Sequence, residues 1–296
     1  MQKPPTPFLE AALDAVRELD CIAPSLSCAT PAVGSPAGNE TIVANQSDID
    51  PQTDLVSIPG VCLHLRLKLC AAREHLLACI WLVRSGAERT LLNPVQALTR
   101  SALEASATCI WLCSNQITGE ERLRRFSQLH LRSAYTCLKD EGFDATNRPD
   151  PATAHADIVL TWDECQTLIN EVKARGWVCR KGKHKGKMPT ISRWVAELPK
   201  YSHMVQDAAT VVSLPAEGMR AIYSMSSRSV HTDPVMVAGG STEEEEQARL
   251  SMALDATITA LMFYGLAWKL IASWCSVPYP EDEMQEHFAR LRQSAQ

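Results

Sequence analysis

The stretch Pro94 to Cys113, PVQALTRSALEASATCIWLC, predicts a helix that is apolar or small on nearly every side, interrupted by only two charges, Arg100 and Glu104. A helix of this kind belongs in a protein interior. The rest of the chain must therefore supply elements that surround it. Ions removed from water have to be satisfied by partners. Arg100 precedes Glu104 by one turn, which is the weaker order for an exposed helix pair. Surface helix support is thus a poor reason for the pair. Two readings stay open: a buried network that fixes packing register, or the floor of a polar pocket between helices, where bundles build their sites.

The remaining pattern is helical. Residues 6–19 predict a short amphipathic helix with Leu9, Leu13 and Val16 on one side. Residues 20–57 are rich in Pro, Ser, Ala and Asn and read as a loop or disordered tether. From residue 60 to 85, Cys62, Leu65, Leu69, Ala72, Leu76, Cys79 and Val83 recur at 3-4 spacing. The alternation in VCLHLRLKL suggests a strand, but the longer helical register outweighs it. Thr118-Gly-Glu-Glu121, Thr161-Trp-Asp-Glu164 and Ser241-Thr-Glu-Glu244 read as capping boxes. They open helices to about residue 139, to Gly176 and to about Trp274. Shorter helices are expected near 190–198, 202–212, 216–231 and 281–293. No convincing strand is present. The fold class expected is all-α, an antiparallel helical bundle over 58–296 behind a short helix and a Pro/Ser-rich tether over 1–57.

Composition narrows the function classes. The formal net charge of −5 argues against coating nucleic acid or an anionic membrane with the whole surface. The 11 cysteines are odd in number and form no CxxC, so neither a disulfide framework nor a zinc site is expected. A reducing cytoplasm fits them. The N-terminus lacks the apolar core of a signal peptide, and no membrane-spanning helix is expected. P-loop, Gly-rich dinucleotide turn, HExxH, Glu-x-x-His and nucleophile-elbow motifs are absent. No cofactor and no metal ion is called for.

Three further constellations could carry chemistry. Tyr223, Ser227 and His231 stand at i, i+4 and i+8, on one face of the predicted helix, with Arg228 between them. They could relay a proton or line a ligand, since imidazole suits acid–base work near neutral pH. They could equally be a satisfied polar seam with His231 capping the helix. Arg180, Lys181, Lys183, Lys185 and Lys187 crowd one Gly-containing segment between Trp177 and Trp194. Such a segment attracts phosphate and could stack a base, or it is simply a solvated loop. Finally, Arg122, Arg124, Arg125 and Arg132 read either as a solvated helix face or, with His130, as a catalytic pair in Arg-x4-His spacing.

On these residues the chain resembles the HEPN superfamily of small helical bundles. Many members carry Arg-x4-6-His and cleave RNA without metal as dimers. The Arg100-x3-Glu104 helix followed by Trp111-Leu112, the Arg-rich helix after it and the Tyr223-x3-Ser227-x3-His231 segment are similar to bacterial helical proteins near that group. The resemblance spans roughly residues 60–275. It implies that Arg125 and His130, or His231 in their place, bind the scissile phosphate and assist proton transfer in stress or phage defence. RNA or another anionic ligand and a second copy of the chain are the partners it implies, with no membrane. The alternative expectation is a helical module that binds a small molecule or protein beside Arg100, Glu104, Tyr223 and His231. A metal-free small-molecule enzyme could use the same pocket.

Overall fold

The computed structural model describes residues 6–21, 31–45, 56–84, 92–142, 148–152, 154–177, 200–211, 219, 223–224 and 242–294. Among the described residues there are nine helices and no strand, so the fold is an all-α helical bundle. The helices are α1 (Thr6–Asp20), α2 (Pro36–Asn45), α3 (Ile58–Arg84), α4 (Leu92–Cys113) and α5 (Gly119–Asp140). They continue with α6 (Ala156–Ala174), α7 (Tyr201–Val211), α8 (Glu243–Cys275) and α9 (Glu281–Ser294). The chain divides into two compact units: residues 1–29, 63–115 and 200–296, and residues 30–62 with 116–199.

In the first unit α4 packs along α8, α7 lies on α4, and α1 packs on both α8 and α9. Both helices bury small residues, with Ala102, Ala107, Ala253, Ala260 and Ala267 fully buried, beside larger ones such as Leu103 and Phe263. Several hydroxyls on these helices bond back to their own helix. Thr99 donates to the Val95 carbonyl at 2.7 Å, Thr108 to Glu104 at 2.7 Å and Thr257 to Ala253 at 2.8 Å. No buried hydroxyl of these three then needs water. Leu250–Cys275 in α8 is long and apolar enough to cross a membrane by length and composition, yet 67% of its most apolar window is buried within the protein. Gly265 lets α9 approach: a Cβ there would stand 2.9 Å from Phe288, and Tyr279 donates to the Gly265 carbonyl at 3.1 Å.

In the second unit α5 packs on α6, and α2 docks on α5. The helix α2 lies inside the stretch read from sequence as a tether. Ser35 caps it by accepting from Gly38 N at 2.9 Å, and Pro36 occupies the first helical position, where its missing N–H costs nothing. Glu40 then pairs with Arg122 at 3.1 Å. Arg122 is therefore not part of a solvated face, for its side chain is only 3% exposed. The entrance to α3 is held differently. Glu171, buried on α6, accepts from Val56 N at 3.0 Å, while Arg175 donates to the Val56 carbonyl at 3.1 Å.

Helix ends follow local chemistry. Thr118 accepts from Glu121 N at 3.2 Å, so half of the first capping box forms. The second box does not cap, because α6 starts five residues earlier, at Ala156. Thr161 is interior and donates to the Asp157 carbonyl. At the other end Gly176, with φ 69°, closes a Schellman turn in which Trp177 N reaches the Val172 carbonyl at 3.2 Å. The helices expected over 190–198 and 216–231 lie outside the described residues, except that Met219, Tyr223 and Ser224 are helical. Ser241 of the third box lies outside them too, and α8 opens at Glu243.

Replacing Glu40 by Gln removes the Glu40 charge from the buried Arg122. The expected loss is about 3 kcal/mol in denaturant unfolding. Glu281→Gln, which breaks the exposed Lys269 pair, should cost under about 1 kcal/mol in the same experiment.

Candidate functional site

The first unit gathers three polar side chains on one flank of α4. Arg100 Nε donates to Glu104 Oε1 at 2.8 Å, and the Tyr223 hydroxyl donates to the same oxygen at 2.6 Å. The Arg100 guanidinium lies 5.3 Å from the Tyr223 ring centroid, with Nη2 3.5 Å from the phenol oxygen. The pair is not sealed. Arg100 and Glu104 side chains are 21% and 22% exposed, on the stripe Asn93, Ala97, Arg100, Glu104 and Trp111 that α4 leaves partly open. The cost of desolvation is reduced accordingly, and cation–π contact adds to the Coulomb attraction.

The electrostatics of the three are mutual. Burial works against the charge on Arg100, but its hydrogen bond and attraction to Glu104 outweigh this and raise its pKa. Burial, then the hydrogen bond to Glu104, pushes the Tyr223 phenol up to about 12. The phenol thus remains a proton donor to the carboxylate throughout the neutral range. Glu104 Oε2 and Arg100 Nη1 make no hydrogen bond among the described residues. Among the described residues the cluster therefore keeps one acceptor and further donors without partners, at a partly open flank.

Of the residues expected to join it, Ser227, Arg228 and His231 lie outside the described residues. So do Arg180, Lys181, Lys183, Lys185 and Lys187 of the basic segment. Trp177 is described and engaged: its indole N–H donates to Glu120 at 3.2 Å, and Arg175 sits 5.5 Å from its ring centroid.

Arg124, Arg125 and His130 belong to the second unit. Glu121 holds both arginines: Arg124 Nε and Nη2 donate to it at 2.6 and 2.8 Å, and Arg125 Nε at 2.9 Å. The hydrogen bond from Arg124 leads in holding the Glu121 carboxyl below its ordinary range. The i+3 and i+4 spacing from Glu121 to these arginines is the signal for this clamp. His130 turns elsewhere. Five residues from Arg125 is about 140° around a helix, and the imidazole meets Phe126, with ring centroids 5.7 Å apart. Its Nδ1 is buried without a hydrogen-bond partner among the described residues. Burial pushes its pKa below the ordinary 6.5, against a smaller upward pull from Glu164. Within one chain the arginines and His130 do not converge.

No group of three potential metal ligands comes together among the described residues. The chain matches no family model, no curated protein and no solved structure.

Two titrations check this geometry. The unfolded phenol loses its proton near 10, before Tyr223 in the fold does near 12. Its contribution to stability is thus intact below pH 10 and is lost as pH rises toward 12. Absorbance titration at alkaline pH should show a tyrosinate step near 12 that Tyr223→Phe removes. For His130 the sign is opposite: the fold favours neutral imidazole, so stability falls as pH drops below 6.5. His130→Leu should lose less stability than the wild type between pH 7 and 5 in denaturant unfolding.

Proposed function

We propose that the protein is a helical ligand-binding module whose recognition element is the Arg100–Glu104–Tyr223 cluster. The carrying observation is the flank about one-fifth exposed at which Arg100 Nη1 and Glu104 Oε2 make no hydrogen bond among the described residues. A guanidinium alone would select an anion. A guanidinium adjacent to a free carboxylate oxygen selects a group that presents an acceptor and a donor side by side, such as a carboxamide or a nucleobase edge. The Tyr223 phenol has a positioning role. By donating to Oε1 it helps fix the carboxylate, whose Oε2 takes no hydrogen bond among the described residues.

The RNA-cleaving reading draws less support. Arg124 and Arg125 are both drawn to Glu121, and His130 is desolvated against Phe126. A ligand-binding role asks nothing of those residues.

The test is thermal unfolding of the full chain with cytidine, guanosine or nicotinamide at millimolar concentration. A ligand near saturation should raise the melting temperature by about 2–6 °C. Arg100→Met and Glu104→Gln should abolish the rise while keeping the helical signal. An equal rise in wild type and both variants, or none with any probe, would remove this reading.

A further inference from the structure

The helix α3 carries two apolar seams, and among the described residues only one of them is buried. Leu65, Leu69, Ala72, Leu76, Cys79 and Val83 recur at 4-3-4-3-4 spacing and are all buried. Leu63, Leu67, Cys70, Glu74, Leu77 and Trp81 repeat the same spacing two residues earlier. Two residues are about 200° around a helix, so the second seam faces away from the first. It is open: Leu63 is 56% exposed, Leu67 60% and Trp81 68%, with Cys70 and Glu74 also exposed. A heptad seam sustained from 63 to 81 is the pattern that a partner helix reads by knobs-into-holes packing.

We infer that this outer seam of α3 is a self-association surface that takes α3 of a second copy of the chain in antiparallel register. The occupant follows from the symmetry of the seam. A two-fold axis at Ala72 sets Leu63 opposite the partner's Trp81, Leu67 opposite the partner's Leu77 and Cys70 opposite the partner's Glu74. These are the alternating layers of an antiparallel helix pair, and one seam supplies both sides, as an isologous contact requires. Charge is self-complementary at the centre. Glu74, the one charged residue in the seam, comes beside the partner's Arg73. That arginine is held by Asp20 at 2.7 Å, with 41% of its side chain still exposed. A lone charged residue in an apolar seam sets register at some cost in stability.

The size of the seam fixes the expected strength. From Leu63 to Trp81 is about 27 Å of helix. A single helix pair of that length is at the small end of specific interfaces, so a dissociation constant in the micromolar range is expected.

Sedimentation equilibrium of the full chain from about 5 to about 200 μM should show a monomer–dimer equilibrium in this range. Leu67→Glu should shift the chain to monomer at all these concentrations. Leu160→Glu, equally exposed at 60% on α6, should leave the dimer intact. Circular dichroism of both variants checks that they fold. A wild-type monomer throughout the range, or a dimer that a folded Leu67→Glu leaves unchanged, overturns the inference.

Discussion

Close packing of α4 against α8 is the constraint on which the first unit depends. Most of the described side chains on both helices are buried or half-buried. Among their buried side chains are many alanines, threonines and serines, which take little room between packed backbones. Small residues bring less apolar area each than leucines do, so the stabilisation comes from density and dispersion over many atoms. It also favours hydroxyls that are satisfied without water, from which Ser106 Oγ, buried without a hydrogen-bond partner among the described residues, departs. The i−4 carbonyl bonds of Thr99, Thr108 and Thr257 satisfy theirs within their own helices. A larger residue at Ala107 or Ala260 has nowhere to go, because overpacking costs about as much as a cavity.

That contact also determines where polarity can survive. With one side of α4 committed to α8 and another to α7, only part of its surface remains partly open. Arg100 and Glu104 lie on it, one turn apart. The carboxylate then has two donors, one local and one 119 residues away in Tyr223. The second unit uses charge in a different way. Arg122 with Glu40 and Glu171 with Val56 N are buried links between segments far apart in sequence. Removing one member takes a partner from a group that water cannot readily reach. The charges of the first unit are arranged at an opening, and these are arranged as rivets.

Much of the helix pattern was legible because apolar spacing and terminal residues act locally. Gly176 stops α6 for a reason readable from one residue, its freedom to adopt positive φ. Thr118 caps α5 for a similarly local reason. Thr161-x-x-Glu164 carries the same letters and caps nothing, since apolar contacts from Ile158 onward extend α6 backwards past it. The helix α2 had a local signal in Ser35-Pro36, obscured by a polar, proline-rich neighbourhood and by dependence on the distant Arg122. The candidate site divides in the same way. Arg100 with Glu104 could be read from spacing, as could the Glu121 clamp. Tyr223 is expected beside the pair from its polar helix segment, but nothing local says that its phenol is the distant donor the half-buried carboxylate finds. His130 shows the converse, a motif-like residue whose surroundings are an aromatic ring and a desolvated nitrogen.

The alternation in Val61-Cys-Leu-His-Leu-Arg-Leu-Lys-Leu69 has the same origin as the two faces of α3. A strand would place Leu63, Leu65, Leu67 and Leu69 on one side. On a helix the four divide into two pairs, Leu65 with Leu69 and Leu63 with Leu67, on opposite faces. The first pair is 1% and 2% exposed, the second 56% and 60%. One helix with a single buried face needs only the first pair. Each leucine kept in water forgoes about 1.5–3 kcal/mol of burial. Trp81 and Leu77 continue the outer seam in register, so the exposure is patterned along the helix and not scattered over it. A seam that repeats the inner spacing, on the face the bundle does not use, is what a helix shared between two cores presents.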